Sequence, residues 1–211
     1  MTQSFAPVVT EQNHAVSVSG FAVTLPLVAI KPDLAISLMM VIDLGVRFGE
    51  HCGKKLAAQL SPMEPDIVVG AATLGIPVAI EVTRALGLDR YVILQKSPKV
   101  HLGSALEQKI TSITSKGEQR LLLDDRAVPL LKGKRVVVVD DVVASGSSLK
   151  GSVELVRKAG GDVVGLGVIL TEARAWEEAL GRDAALVRGL AHIPQFKPGD
   201  NGRWVARPET L

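Results

Sequence analysis

Aromatic residues are scarce. In 211 residues there are two Trp, one Tyr and four Phe, so any core must be aliphatic, and no rings alternate with basic residues as on a nucleic-acid surface. The charge balance agrees: 24 basic against 22 acidic side chains leave a formal +2, and no block of Lys or Arg stands out. A single cysteine, Cys52, excludes an intrachain disulfide and a multi-cysteine metal site. His14, His51, His101 and His192 are scattered without metal-ligand spacing. No apolar run reaches the roughly 20 residues that cross a bilayer; in the densest stretch, Phe21 to Val46, Pro26, Lys31, Pro32, Asp33 and Asp43 intervene. The chain does not open with a basic segment followed by an apolar one, so no secretory signal is expected and the cytoplasm is the expected location. A Walker-type loop is also missing. Gly165 and Gly167 lie inside an apolar strand pattern, away from the strand-to-helix turn where a dinucleotide fingerprint belongs.

What is present is a run that ends a buried strand in two acids. Four β-branched residues, Val136 to Val139, suit a strand covered on both faces of a parallel sheet. Asp140 and Asp141 then fall at its C-terminal end, where open α/β sheets place their ligands. After Val142 and Val143, the small residues Ala144, Ser145, Gly146, Ser147 and Ser148 lead into the helical pattern Leu149 to Ala159. Backbone N–H groups of such a turn, with those of the helix start, make a pocket for a phosphate. Carboxylates beside that pocket would repel phosphate, so they suit donors such as vicinal sugar hydroxyls.

These residues resemble the signature of the type I phosphoribosyltransferases: four apolar residues, two acids, two apolar residues and a short Gly-containing turn closed by a hydroxyl. Ser145 and Ser147 flank Gly146 where that family often has a Gly-Gly pair. The resemblance covers about residues 60 to 172. It implies a five-stranded parallel sheet with a hood from the chain ends that covers a nucleobase, Mg²⁺ as cofactor, phosphoribosyl pyrophosphate and a base as substrates, and a homodimer.

The pattern along the chain agrees with that fold class. Residues 1 to 14 read as a loose arm, and Ala15 to Ile30 as a small hairpin bent near Gly20. Asp43 to Leu60 has helical spacing, with Leu44, Phe48, Cys52, Leu56 and Leu60 near one face. Strands are predicted at 66–70, 91–94, 121–124, 136–139 and 163–170, and helices at 76–86 and 149–159, the last stopped by Gly160-Gly161. The polar stretch from about 100 to 120 reads as a mobile segment, and Trp176 to Leu180 as irregular. Alternation of strand and helix predicts an α/β, doubly wound parallel sheet. It would form one domain over 1–211, with its core at 60–172 and a small hood from about 1–40 and 173–211.

The reaction that the resemblance implies is displacement of pyrophosphate from phosphoribosyl pyrophosphate by a ring nitrogen of a base, which requires charge stabilisation and exclusion of water. Ala144 to Ser148 would hold the ribose phosphate. Asp140 and Asp141 would take the ribose hydroxyls and Mg²⁺, the metal being held mostly by the substrate's own phosphates. Ala72, Thr73, Leu74 and Gly75 match the family's pyrophosphate loop, though without a charged side chain. Lys96 and Lys99 resemble its basic residues after the next strand; otherwise they are solvated surface lysines. Ser112 to Glu118 resembles its closing loop, with Lys116 a partner for pyrophosphate and Glu118 for proton transfer, or is a polar loop with incidental charges. Ile193 and Phe196 are candidates for a wall against the base; the alternative for Phe196 is an anchor for the C-terminal segment.

Two readings of function stay open. Relatives that act on 6-oxopurines place a lysine near the end of the strand after the phosphate-binding helix, and Val163 to Pro194 contains none. Leu170-Thr171-Glu172 instead resembles the ending found in adenine phosphoribosyltransferases, which favours adenine. The other reading is a non-catalytic sensor of the same fold that binds phosphoribosyl pyrophosphate or a nucleotide, favoured by the uncharged 71–75 loop and by the Ser145-Gly146-Ser147 substitution.

Overall fold

The computed structural model describes residues 5–98, 105–110 and 119–211. In chain order the elements are β1 (Val8–Val18), β2 (Phe21–Lys31), β3 (Leu34–Ser37), α1 (Gly45–Leu60), β4 (Ile67–Ala71), α2 (Gly75–Ala85), β5 (Tyr91–Leu94), β6 (Ala105–Ile110), β7 (Gln119–Asp124), α3 (Val128–Leu131), β8 (Arg135–Val143), α4 (Ser147–Lys158), β9 (Asp162–Glu172), α5 (Ala175–Leu180), β10 (Val187–Ile193), β11 (Phe196–Pro198) and β12 (Trp204–Ala206). No helix among the described residues is long and apolar enough to cross a membrane.

The central sheet is wholly parallel, with strand order β10-β9-β8-β4-β5. From β4 the chain moves outward to β5 on one side, then returns to build β8, β9 and β10 on the other. The order therefore reverses between β4 and β8, and that switch point opens a crevice at their C-terminal ends. Alternate valines of β8 serve opposite layers. Val137 and Val139 join Phe48, Leu56 and Val82 of α1 and α2, whereas Val136 and Val138 join Leu149 and Val153 of α4 with Leu121 and Leu123 of β7. Each buried side chain of this kind contributes roughly 1.5–3 kcal/mol relative to exposure. Gly165 and Gly167 owe their place to packing: a Cβ on them would stand 3.1 and 2.9 Å from the methyls of Leu60, so they let α1 lie close on β9.

The chain ends form a second, antiparallel sheet in the order β1-β2-β3-β11-β12. Its hairpin turns at Ser19 and Gly20, both with positive φ, as the favoured two-residue turn requires. The expected loose arm at 1–14 is corrected here, because β1 begins at Val8. Its polar run Thr10 to His14 carries no apolar alternation, and β2 supplies the template that orders it. Register slips between Val9 and Asn13, where Asn13 faces Pro26, a residue that cannot donate to the ladder. Gln12, freed by that irregularity, accepts from the backbone N–H of Trp204 at 2.6 Å and donates to its carbonyl at 3.3 Å. The two outer strands are thereby drawn together.

Within the stretch from about 100 to 120 that reads as a mobile segment, 105–110 and 119–120 are strand. β6 and β7 pair antiparallel over Ala105–Ile110 and Gln119–Asp124. They lie on α4, where Gly151 leaves room for Ile110 and Leu121. Trp176 to Leu180, expected to be irregular, is helical within α5.

Candidate functional site

β8 runs out of the core into two carboxylates. Val136 to Val139 are at most 1 % exposed, while Asp140 and Asp141 are partly exposed at the strand end. Burial pushes the Asp140 carboxyl well above the usual carboxylate range, and the negative charge of Asp141 pushes the same way. Burial raises Asp141 too. The positive charge of Lys96, which follows β5, pulls both down. Within the pair, the Asp141 N–H donates to Asp140 Oδ1 at 3.0 Å. A cation or a pair of hydroxyl donors would relieve this excess of negative charge.

Four residues beyond Val142 the chain turns at Gly146, whose φ of +78° only glycine adopts readily. Ser147 is already the first residue of α4, so its Cβ meets no unusual backbone. The first N–H groups of α4 have no acceptor within the helix. Beside them the hydroxyls of Ser145 and Ser147 lie 2.8 Å apart, and the Ser147 N–H donates to Ser145 Oγ at 3.4 Å. A cleft of about 440 Å³ opens here, lined by Ser145, Ser147 and Lys150 on one side and Gln108 and Lys109 of β6 on the other.

Across the switch point, β4 ends in the turn 71–75. The Ala72 N–H donates to the Leu94 carbonyl of β5 at 2.9 Å, the Ala72–Thr73 peptide is cis, and α2 starts at Gly75. Gly75 lies against the acid pair: a Cβ there would stand 2.9 Å from Asp140 Oδ1. Neither Thr73 nor Leu74 brings charge; among the described residues, Lys96 is the cation whose charge acts on both acids. Asp140, Asp141, Ala144 to Ser148, Ala72 to Gly75 and Lys96 thus all lie toward the C-terminal ends of β4, β5 and β8, and Ser145 and Ser147 of this set line the cleft. Lys99, Lys116 and Glu118 lie outside the described residues.

Ile193 and Phe196 do not fit the role expected of them. Ile193 is fully buried between the central sheet and the hood, and Phe196 is 6 % exposed among Leu27, Ala29 and Ala35, with the His14 ring edge-on at 5.4 Å. Phe196 pairs with Ala35 and Ala206 across the hood sheet; it anchors that sheet and offers no face to a base.

The end of β9 carries two polar side chains that turn opposite ways. Glu172 is buried, which raises its carboxyl, and accepts from Gln195 Nε2 of the hood at 3.0 Å. Thr171 Oγ1 lies 2.9 Å from His192 Nδ1, and His192 Nε2 lies 2.7 Å from the Thr210 carbonyl. A carbonyl only accepts, so Nε2 carries a proton, and in the Nε2–H tautomer Thr171 is the donor to Nδ1. The Thr171 oxygen is left as an acceptor.

Two features escaped the sequence. Trp176 of α5 stands beneath Gly146, with the nearest atoms about 3.0 Å from where a Gly146 Cβ would be, and Gly75 touches the acid pair. The first had a faint signal, since Trp176 is one of two tryptophans; the second had none. No group of three or more His, Cys, Asp or Glu among the described residues could hold a metal. The two acids suit instead a hard cation that arrives with most of its ligands on a phosphate chain.

Residues 50–187 match the model of the phosphoribosyl transferase domain. The chain is similar to the xanthine phosphoribosyltransferase of Geobacillus thermodenitrificans, 31 % identical over 59 % of this chain and 63 % of the relative. It is also similar to the purine biosynthesis transcriptional repressor of Bacillus subtilis, 32 % identical over 61 % of this chain and 44 % of the relative. Other relatives are named orotate phosphoribosyltransferases. The chain spans about half to two thirds of the length of the first curated relatives it matches. In fold it resembles the crystal structure of the adenine phosphoribosyltransferase from Thermoanaerobacter pseudethanolicus, with a TM-score of 0.62 and 22 % identity over 75 % of this chain and 89 % of that one.

Proposed function

This chain belongs to the phosphoribosyltransferase family, and from that premise we propose that it transfers the phosphoribosyl group of phosphoribosyl pyrophosphate to a purine base, adenine by preference. The observation that supports the reading is that the acid pair, the hydroxyl turn and the 71–75 turn all follow the C-terminal ends of the neighbouring strands β4 and β8.

In this mechanism the first-turn N–H groups of α4 and the hydroxyls of Ser145, Ser147 and Ser148 bind the 5′-phosphate, with Ala144 giving them room. Asp140 and Asp141 accept hydrogen bonds from the two ribose hydroxyls, which relieves their mutual repulsion and fixes the sugar. The bond from ribose C1 to the pyrophosphate oxygen breaks, and the electron pair leaves with pyrophosphate. A base nitrogen bonds to C1, and its proton passes to the carboxylate that Glu118 is proposed to supply. Backbone N–H groups of Ala72 to Gly75 and the Lys96 ammonium receive the leaving charge. Mg²⁺ would supply further positive charge there, and Asp140 and Asp141 are the residues that would hold it. Lys99, Lys116 and Glu118 keep their expected roles as proposals.

The preference for adenine rests on donors. A 6-oxo group needs one, β9 ends without a lysine, and the Thr171 hydroxyl is already engaged 2.9 Å from His192 Nδ1. An acceptor suits an amino group. Some relatives are named xanthine and others orotate phosphoribosyltransferases, so the test is a panel: phosphoribosyl pyrophosphate and Mg²⁺ with adenine, hypoxanthine, guanine, xanthine, orotate or uracil, followed by pyrophosphate release. A well-made polar contact can discriminate by about ten-thousandfold. Adenine is expected to give the largest kcat/KM; a larger value for any other base overturns the preference.

The similarity to a repressor favours a second reading, a sensor that binds phosphoribosyl pyrophosphate without turnover. Binding with no pyrophosphate release from any base would select it. We propose further that the protein is a cytoplasmic homodimer, which sedimentation velocity would check.

A further inference from the structure

Gly146 rests on α5. A Cβ built at Gly146 would stand 3.0 Å from the Cα of Trp176 and the Cβ of Ala179, and 3.2 Å from the Cβ of Trp176. Trp176 is itself tied down: its Nε1–H donates to the Ala173 carbonyl at 3.1 Å, and its ring packs on the aliphatic core of the α4 layer. Ala173 has a left-handed backbone, φ 48°, uncommon for a residue with a side chain, and its N–H donates to the Ile193 carbonyl at 3.1 Å. Contacts therefore run from the end of β10 through Ala173 and Trp176 to Gly146.

We propose that Trp176 is a positioning residue for the 144–148 turn, holding Gly146 in its left-handed geometry from behind and tying the turn to the ends of β9 and β10. This rests on the reading of that turn as the 5′-phosphate site. Several N–H groups must converge on one phosphate, and small displacements spread over them weaken every bond at once. α5 is only six residues long, so it depends on side-chain anchors, and the indole bridges the helix to Ala173. Trp176→Phe deletes the N–H but keeps an aromatic ring; Trp176→Leu deletes both.

The experiment measures ribose 5-phosphate binding by calorimetry, steady-state constants and Tm for the parent protein, Trp176→Phe and Trp176→Leu. It adds the emission of Trp204→Phe, in which Trp176 is the only tryptophan. Because misplacement by about 1 Å can cost up to about a hundredfold, Trp176→Leu is expected to weaken ribose 5-phosphate and raise KM for phosphoribosyl pyrophosphate roughly tenfold, and Trp176→Phe about threefold. KM for the base stays within about twofold, since the turn makes no base contact. Emission from Trp176 shifts when ribose 5-phosphate binds. Unchanged ribose 5-phosphate affinity in a folded Trp176→Leu, losses shared equally by the base, or an emission blind to ligand overturns the proposal. Should Trp176→Leu not fold, Trp176→Phe and the emission decide. A parent protein that binds no ribose 5-phosphate overturns the reading of the turn itself, a result distinct from the others.

Discussion

The turns after β4 and β8 hold equivalent places on neighbouring parallel strands, yet they are made of opposite materials. The β8 turn has a left-handed glycine, three hydroxyls and a full helix behind it. The β4 turn has one hydroxyl, no charge and a glycine pressed against Asp140. On the proposed function, the first is a preformed cradle for a phosphate that stays on the sugar. The second faces a phosphate chain that must leave, and a turn that bound it as tightly in the ground state as in the transition state would gain nothing in turnover. Charge for that side comes from Lys96, outside the turn, and from what the substrate brings with it.

The largest effects should come from the acids between the two turns. Asp141→Asn removes a contact to the sugar as positive charge develops on it, and turnover should fall by roughly a hundredfold or more with the fold retained. Normal turnover in a folded variant would detach the acids from the reaction. Asp140→Asn should lose activity similarly but gain stability. Both carboxyls are raised in the folded protein, so it binds protons more tightly than the unfolded chain. Their contribution is complete below the ordinary carboxylate range and is lost as pH rises through the raised values. Thermal melts should then show Asp140→Asn gaining on the order of 3 °C at pH 8 and little at pH 4. An equal gain at both pH values would place its origin elsewhere.

Next in size is Lys96→Met, which isolates the β4 side. Removal of its charge from a half-buried crevice should raise KM for phosphoribosyl pyrophosphate by about tenfold and leave ribose 5-phosphate affinity within about twofold. Both acids would titrate higher still, because Lys96 holds them down, so the acidic limb of the rate profile should move to higher pH. Equal loss for both ligands would mean that Lys96 serves the whole crevice, and the contrast between the turns would weaken.

How well each half could be read beforehand follows from how local its signals are. The β8 side is written in consecutive residues: a β-branched run, two acids, small residues and an amphipathic helix. Its strand, turn and helix follow in the predicted order, although β8 runs on past the acids to Val143 and α4 already starts at Ser147. The hood is written non-locally. β1 is polar at Thr10 to His14 and is a strand only because β2 pairs with it, while β11 and β12 have three residues each. Phe196 invited a role at the site because rings are scarce, and the same scarcity makes it the anchor of the hood. The contact of Gly75 with Asp140 joins residues 65 positions apart and left no trace in composition or period.

The smallest expected effect tests whether the β8 cradle is made of backbone or of hydroxyls. Only one of Ser145 Oγ and Ser147 Oγ can donate across their 2.8 Å contact, so the accepting hydroxyl keeps its proton for a phosphate, while the donating one must give up that bond to reach it. The exchange trades a neutral hydrogen bond for one to an anion, a gain of about 1 kcal/mol. Ser145→Ala should therefore weaken ribose 5-phosphate by only about fivefold, with kcat nearly unchanged, because the N–H groups at the start of α4 remain. A loss of about a hundredfold would instead make the hydroxyls the principal ligands. It would leave Gly146 as the hinge that aims them, and the two turns would differ in side chains more than in backbone.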